Sequence, residues 1–196
     1  MLWIGCADSR VPETTVCNCK PGEIFVHRNI ANCVHADDIS SASVVEYAVT
    51  HLKVKKVVVC GHTQCGGANA ALGDADLGQT LNTWLHPVRE YVYTPIGFKS
   101  RSMSFGDVEA KHPPRLRRKH KAELDRLPDD DARSLRVAEL NVNQSIEVLK
   151  LHPAIKKAIN ERGLSVHGMI YDIGAGQLRL LDSSGAKKSN GLWSPN

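Results

Sequence analysis

Apolar runs of four residues recur early in the chain, at Met1–Ile4, Ile24–His27 and Val57–Cys60, and each gives way to polar or glycine-bearing sequence. Short apolar runs bounded by turn signals are the pattern of strands buried on both faces. Between the second and third runs the period changes. Over Ser40–Leu52, Val44, Ala48 and Leu52 share one face, broadened by Val45 and Val49, behind serines able to cap. That spacing predicts a packed helix. Leu77–Val92 reads as a second helix, and Leu135–Leu149 as a third, with Leu135, Ala138, Val142, Ile146 and Leu149 recurring at three- and four-residue steps. Pro153–Arg162 is a shorter helix stopped by Gly163. Ser165–Tyr171 and Leu178–Leu181 read as strands joined by Gly174-Ala175-Gly176, a hairpin. Strand alternating with helix predicts an α/β fold: a parallel sheet core flanked by helices, with an antiparallel strand at its C-terminal end.

Composition narrows the class without naming it. The chain has 196 residues, 42% hydrophobic and 23% charged, as expected for one globular domain over 1–196. No segment approaches the ~20 apolar residues that span a bilayer, so no membrane partner is expected. The start, Met1-Leu2-Trp3-Ile4-Gly5-Cys6, has neither a basic region nor a long apolar stretch. A secretory signal is therefore not expected. The six cysteines (6, 17, 19, 33, 60 and 65) are expected to be reduced. The expected location is cytoplasmic, or mitochondrial should a leader precede Met1. The net charge of +4 is uneven: Lys99–Lys121 holds eight Lys/Arg against Asp107 and Glu109, a net of +6 that leaves −2 elsewhere. The 94–121 segment, rich in Pro, Gly and charge, reads as a basic, flexible insertion. Its Arg115–Lys121 run is read as solvated charge, so no nucleic-acid partner is expected.

The chemistry lies where strands run out. Cys6-Ala7-Asp8-Ser9-Arg10 follows the first run and His62-Thr63-Gln64-Cys65 follows the third. In parallel sheets, ligands bind beyond the carboxyl ends of strands, so both pieces fall on one edge. Zinc takes thiolate sulfur and imidazole nitrogen, and three protein ligands leave a fourth position for chemistry. Cys6, His62 and Cys65 supply that set. A closed structural site, completed by a fourth Cys or His, is the alternative; Cys60 lies within a strand, Cys17 and Cys19 on a turn, and Cys33 pairs with His35. Cys6 and Arg10 stand only four apart and enclose Asp8, too short and too acidic for the phosphate cradle of a cysteine phosphatase. Asp8 and Arg10 instead place a carboxylate and its cationic partner beside the metal.

Trp3–Val11, Phe25–Asn32 (Phe-Val-His-Arg-Asn-Ile-Ala-Asn) and Cys60–Gly67 (Cys-Gly-His-Thr-Gln-Cys-Gly-Gly) together resemble the β-class carbonic anhydrases, with a fungal character. Glu139-Leu140-Asn141-Val142 and His167-Gly168-Met169-Ile170-Tyr171 extend the resemblance across most of the chain outside 94–121. It implies one zinc ion per chain on Cys6, His62 and Cys65, and reversible hydration of carbon dioxide to bicarbonate and a proton. Two thiolates place more negative charge on zinc than imidazoles do, so a helper for the zinc-bound water is useful. Asp8 can accept a proton or hydrogen bond there, with Arg10 holding it ionised.

The same resemblance assigns Phe25, Ile30 and Tyr47 to an apolar carbon dioxide pocket. It gives Gly66 and Gly67 the close approach of backbone amides to an anionic product. It also implies a closed state in which Asp8 is the fourth zinc ligand while bicarbonate binds Trp3, Arg28 and Tyr171. A homodimer or dimer of dimers is the expected assembly. Two departures stand out: the family's N-terminal helical arm and the Gln before the first strand have no counterpart here, and 94–121 replaces a short link. These departures leave as an alternative a zinc-binding homologue with little or no hydratase activity, and the same attack geometry would also serve a carbonyl sulfide or carbon disulfide hydrolase.

Overall fold

Five strands, β1 (Leu2–Cys6), β2 (Phe25–Asn29), β3 (Lys56–His62), β4 (Ser165–Asp172) and β5 (Gln177–Leu181), form one sheet in the order β2-β1-β3-β4-β5. The first four are parallel and β5 pairs antiparallel with β4, as the alternation of elements predicts. The computed structural model describes residues 1–73, 75–92 and 120–181. The basic insertion expected at 94–121 lies outside the described residues except for its last two. No helix among the described residues is long and apolar enough to cross a membrane.

The pleat sorts side chains onto two faces. Leu2, Ile4 and Cys6 of β1 join Val57 and Val59 of β3 in the larger core. Helices α3 (Gly66–Leu72), α4 (Gln79–Val92) and α6 (Asp130–Leu151) supply Ala68, Ala71, Leu85, Val88, Val137, Ala138 and Val142 to the same core. Burying each large aliphatic side chain stabilises the fold by about 1.5–3 kcal/mol. Trp3, Val58, Cys60 and Met169 face the other way, against Cys17 at the end of α1 (Glu13–Val16).

The boundaries differ from the apolar pattern where polar groups decide them. Helix α6 begins at Asp130, five residues before its first apolar stripe residue. The Asp129 side chain accepts from the Ala132 amide, and Asp130 and Asp131 occupy the first turn. Carboxylates suit the positive end of a helix, and none of this shows in hydrophobic periodicity. Helix α2 (Ile39–Glu46) passes into a π-helical turn, Tyr47–His51. The wider turn rotates the residues beyond it: Val45, Ala48 and Val49 are buried while Leu52 is 46% exposed, so Leu52 leaves the predicted stripe. Short α5 (Lys121–Leu124) precedes α6, and α7 (Pro153–Arg162) runs as its sequence predicts, ending on left-handed Gly163.

Candidate metal centre

Cys6 is the last residue of β1 and His62 the last of β3, two adjacent parallel strands, and Cys65 caps the start of α3. The parallel register therefore delivers all three to the carboxyl edge of the sheet. Their sulfur and nitrogen atoms all lie within 4.8 Å of one another, and the three residues are buried. The His62 Nδ1–H donates to the Thr63 carbonyl at 2.9 Å, leaving Nε2 as the ring's lone-pair nitrogen. That Nε2 is buried with no hydrogen-bond partner. A buried polar atom left unpaired costs free energy unless something binds it.

The thiols are tuned to match. Cys6 is pulled down to about 4, led by the hydrogen bond with Cys65, with burial opposing and His62 and the Asp8 backbone amide assisting. The same contact, together with burial, pushes Cys65 up, while the Gly67 and Ala68 amides favour its thiolate. The contact favours thiolate on one sulfur of the pair, and a bound cation would favour it on both. Burial pulls His62 down, yet Cys6 and the Thr63 carbonyl outweigh it and hold it above its ordinary value. Two sulfurs and one orphaned imidazole nitrogen facing one another fit a borderline-soft divalent metal such as zinc.

Asp8 stands beside this cluster but is engaged elsewhere. Arg10 Nε and Nη2 donate to its two oxygens at 3.0 and 2.7 Å, and the Arg10 amide donates at 2.9 Å. The guanidinium holds the Asp8 carboxyl well below the usual carboxylate range. Arg10 Nη2 also donates to the Gln64 carbonyl at 3.1 Å, tying the loop after β1 to the residue before Cys65.

Other residues named from the sequence fall into two groups. Ile30 and Gly66 lie close to the cluster: the Ile30 side chain lies against Gly67, and the space where a Gly66 side chain would be is open. Phe25 does not, for it pairs with Leu2 at the amino end of the sheet, whereas Asn29 pairs with Cys6. At about 3.3 Å per residue that separation is roughly 13 Å. Phe25 meets Tyr47 instead, ring centroids 5.7 Å apart, and Tyr47 is 50% exposed. A single chain therefore does not bring Phe25 and Tyr47 to its own Cys/His/Cys cluster. The sequence pattern hid this because strand polarity, not motif order, decides which end a residue occupies.

Trp3 and Tyr171 share the smaller core, and Trp3 Nε1 is buried without a partner. Strand alternation places Arg28 on that face as well. Its guanidinium is already employed: Nε donates to the Cys6 carbonyl at 2.8 Å and Nη2 to the Asp8 carbonyl at 2.5 Å, with Glu13 at 3.8 Å. Arg28 thus braces the backbone of the Cys6–Asp8 loop, a role its sequence context did not reveal. Neither did sequence reveal the Thr63 carbonyl, which sets the His62 tautomer.

Comparison with known proteins places this geometry. A family model described as carbonic anhydrase matches residues 1–178. A carbonic anhydrase of Candida albicans is 41% identical over 177 residues, covering 90% of this chain and 54% of its own length. This chain thus spans about half of that relative. The Emericella nidulans carbonic anhydrase is 42% identical, with 92% and 68% covered. Among solved structures, a tetrameric β-carbonic anhydrase of Sordaria macrospora superposes with a TM-score of 0.77 at 46% identity, covering 92% of this chain and 79% of that one. The Coccomyxa β-carbonic anhydrase bound to acetazolamide gives 0.74 at 34%, covering 92% and 70%. With the matching sheet and the Cys/His/Cys cluster at its carboxyl edge, the chain belongs to the β class of the carbonic anhydrase family.

Proposed function

We propose that this chain catalyses the zinc-dependent, reversible hydration of carbon dioxide to bicarbonate and a proton, with Cys6, His62 and Cys65 holding the metal. The observation that carries the reading is the buried trio, its ligand atoms within 4.8 Å of one another and His62 Nε2 without a partner, set beside Asp8 held by Arg10. Zinc, when bound there, supplies a Lewis acid that makes water nucleophilic at neutral pH.

The chain's own residues do the rest. Thr63 fixes the imidazole so that Nε2 faces the sulfurs. Asp8, kept far below its ordinary value by Arg10, is a poor proton store near neutrality and acts as a hydrogen-bond acceptor that orients the nucleophile. The proton itself leaves to solvent buffer. Ile30 and the open side of Gly66 form the apolar approach for carbon dioxide.

Phe25, partly buried, and Tyr47, half-exposed, lie at the opposite end and can serve substrate only from a neighbouring copy, which agrees with a homodimer or dimer of dimers. A tetrameric relative supports that assembly. The closed state with Asp8 on zinc and bicarbonate at Trp3, Arg28 and Tyr171 requires Arg10 and Arg28 to release their present partners. Tyr171→Phe tests it more cleanly than Arg28→Ala, which also unbraces the Cys6–Asp8 loop. Unchanged bicarbonate inhibition in Tyr171→Phe counts against that state.

Stopped-flow carbon dioxide hydration by zinc-loaded protein at mildly alkaline pH, with Cys6→Ala as control, tests the main reading. A rate no higher than the control refutes it. Tight zinc retention without turnover would identify a non-catalytic homologue.

A further inference from the structure

Four consecutive carbonyls in the turn after β2 are each met by a side chain. The Ile30 carbonyl accepts from Trp84 Nε1 of α4 at 2.9 Å, and the Ala31 carbonyl from Asn141 Nδ2 of α6 at 2.6 Å. The Asn32 carbonyl accepts from Ser145 Oγ at 3.5 Å and the Cys33 carbonyl from Asn29 Nδ2 at 2.8 Å. The turn needs such restraint, because Ala31 and Asn32 have φ of +60° and +48°, a left-handed region that alanine seldom adopts. Asn141 and Ser145 lie one helical turn apart, and both are buried, 6% and 1% exposed. Polar side chains at core positions are costly unless paired, and here the turn is their partner.

The other side of the turn reaches the metal centre. A side chain at Gly67, two residues past Cys65, would place its Cβ 2.8 Å from the Ala31 Cβ and 3.2 Å from the Ile30 side chain. The Asn29 carbonyl, at the start of the turn, accepts from the Ala7 amide next to Cys6 at 2.8 Å. The turn is thus wedged between α6 and the two cysteine-bearing loops.

We propose that Asn141, seconded by Ser145 and Trp84, is a positioning residue for the metal centre. Its amide holds the Ile30–Asn32 turn in left-handed form against Gly67, and that contact fixes where Cys65 sits relative to Cys6. The proposal rests on the reading of Cys6, His62 and Cys65 as metal ligands. Asn141 touches the Ala31 carbonyl and the Cys33 thiol and none of Cys6, His62 or Cys65, so it acts on the centre through the turn.

Cobalt-loaded protein tests this without turnover, by its thiolate-to-cobalt and d–d absorption bands and by chelator competition. Asn141→Leu and Asn141→Ala are expected to shift the d–d bands and weaken cobalt binding about tenfold, as outer-shell substitutions do. Val137→Ala, on the same helix and equally buried, touches no turn carbonyl and is expected to leave both unchanged even where it lowers the melting temperature. Gly67→Ala is expected to reproduce the spectral shift. The Gly67→Ala/Asn141→Ala double variant should be no worse than Gly67→Ala, because the released turn gives way to the new methyl.

Wild-type bands and affinity in the Asn141 variants, or fully additive losses in the double variant, would overturn the proposal. If the Asn141 variants do not fold, Trp84→Phe and Ser145→Ala carry the same expectations with one donor removed each. Absence of thiolate-to-cobalt bands in the wild type would instead overturn the metal-ligand reading and this proposal with it.

Discussion

Two sets of thiols in this molecule share a side chain and differ in chemistry. Cys17 and Cys33 are pushed up to about 12 by burial, and burial also pushes Cys60, in the middle of β3, well above its ordinary value. Cys6 is as buried as Cys17, 5% against 8% exposed, yet it is pulled down to about 4. Burial alone therefore does not decide reactivity. The difference is in partners: Cys6 has a second thiol, an imidazole and a backbone amide directed at its sulfur, whereas Cys60 sits among Trp3, Val58 and Met169. A thiol at a strand's end meets other loops, and one inside the strand meets only core.

The contrast breaks most visibly at the metal. Cys6→Ser or Cys65→Ser is expected to lose zinc by more than about 100-fold in affinity, while Cys33→Ala and Cys60→Ala retain one zinc per chain after gel filtration against a chelator. Equal zinc loss in all four variants would erase the distinction. Next comes the neighbouring carboxylate. Arg10→Ala frees Asp8 from the contact that fixes it, and the carbon dioxide hydration rate is expected to fall about 10- to 100-fold with zinc retained. An unchanged rate would leave the pair as a surface ornament.

Cys60→Ala should cost about 1 kcal/mol in urea unfolding, from a small cavity in the core, with no change in metal affinity. The smallest effect concerns imidazoles, which repeat the contrast. Burial pushes His27, His35, His152 and His167 below their ordinary values, whereas His62 is held above by its partners. A histidine depressed in the folded state stabilises above its unfolded value of about 6.5, and that stability is lost as pH falls below it. For zinc-loaded protein, with His62 held on the metal as proposed, the urea midpoint should decline from about pH 6.5 downward, and His167→Asn should flatten part of that slope. A midpoint constant to pH 5 would contradict the assignment.

Much of the centre was legible in the sequence because strand ends are legible. Cys6, His62 and Cys65 follow apolar runs, and parallel strands bring such ends to one edge. The helix start at Asp129 was hidden, since carboxylates that cap a helix interrupt no hydrophobic period. Asn141 was hidden for a related reason. One polar residue among the apolar stripe of α6 carries no mark of the carbonyl it serves, 110 positions earlier in the chain. Left-handed Ala31 and Asn32 were unreadable because no glycine announces them. Phe25 and Tyr47 were assigned to the carbon dioxide pocket by likeness alone, but their distance from Cys6 follows from β2 running parallel to β1, which a motif does not display.

Zinc K-edge X-ray absorption on the reconstituted protein tests the donor set most directly. The predicted spectrum has two sulfurs near 2.3 Å and one imidazole nitrogen near 2.0–2.1 Å, with a light atom completing the shell. Its sulfur contribution falls to one in Cys65→Ser and stays at two in Cys60→Ala. A wild-type shell without sulfur, or one whose sulfur count drops in Cys60→Ala, would contradict the assignment of Cys6, His62 and Cys65.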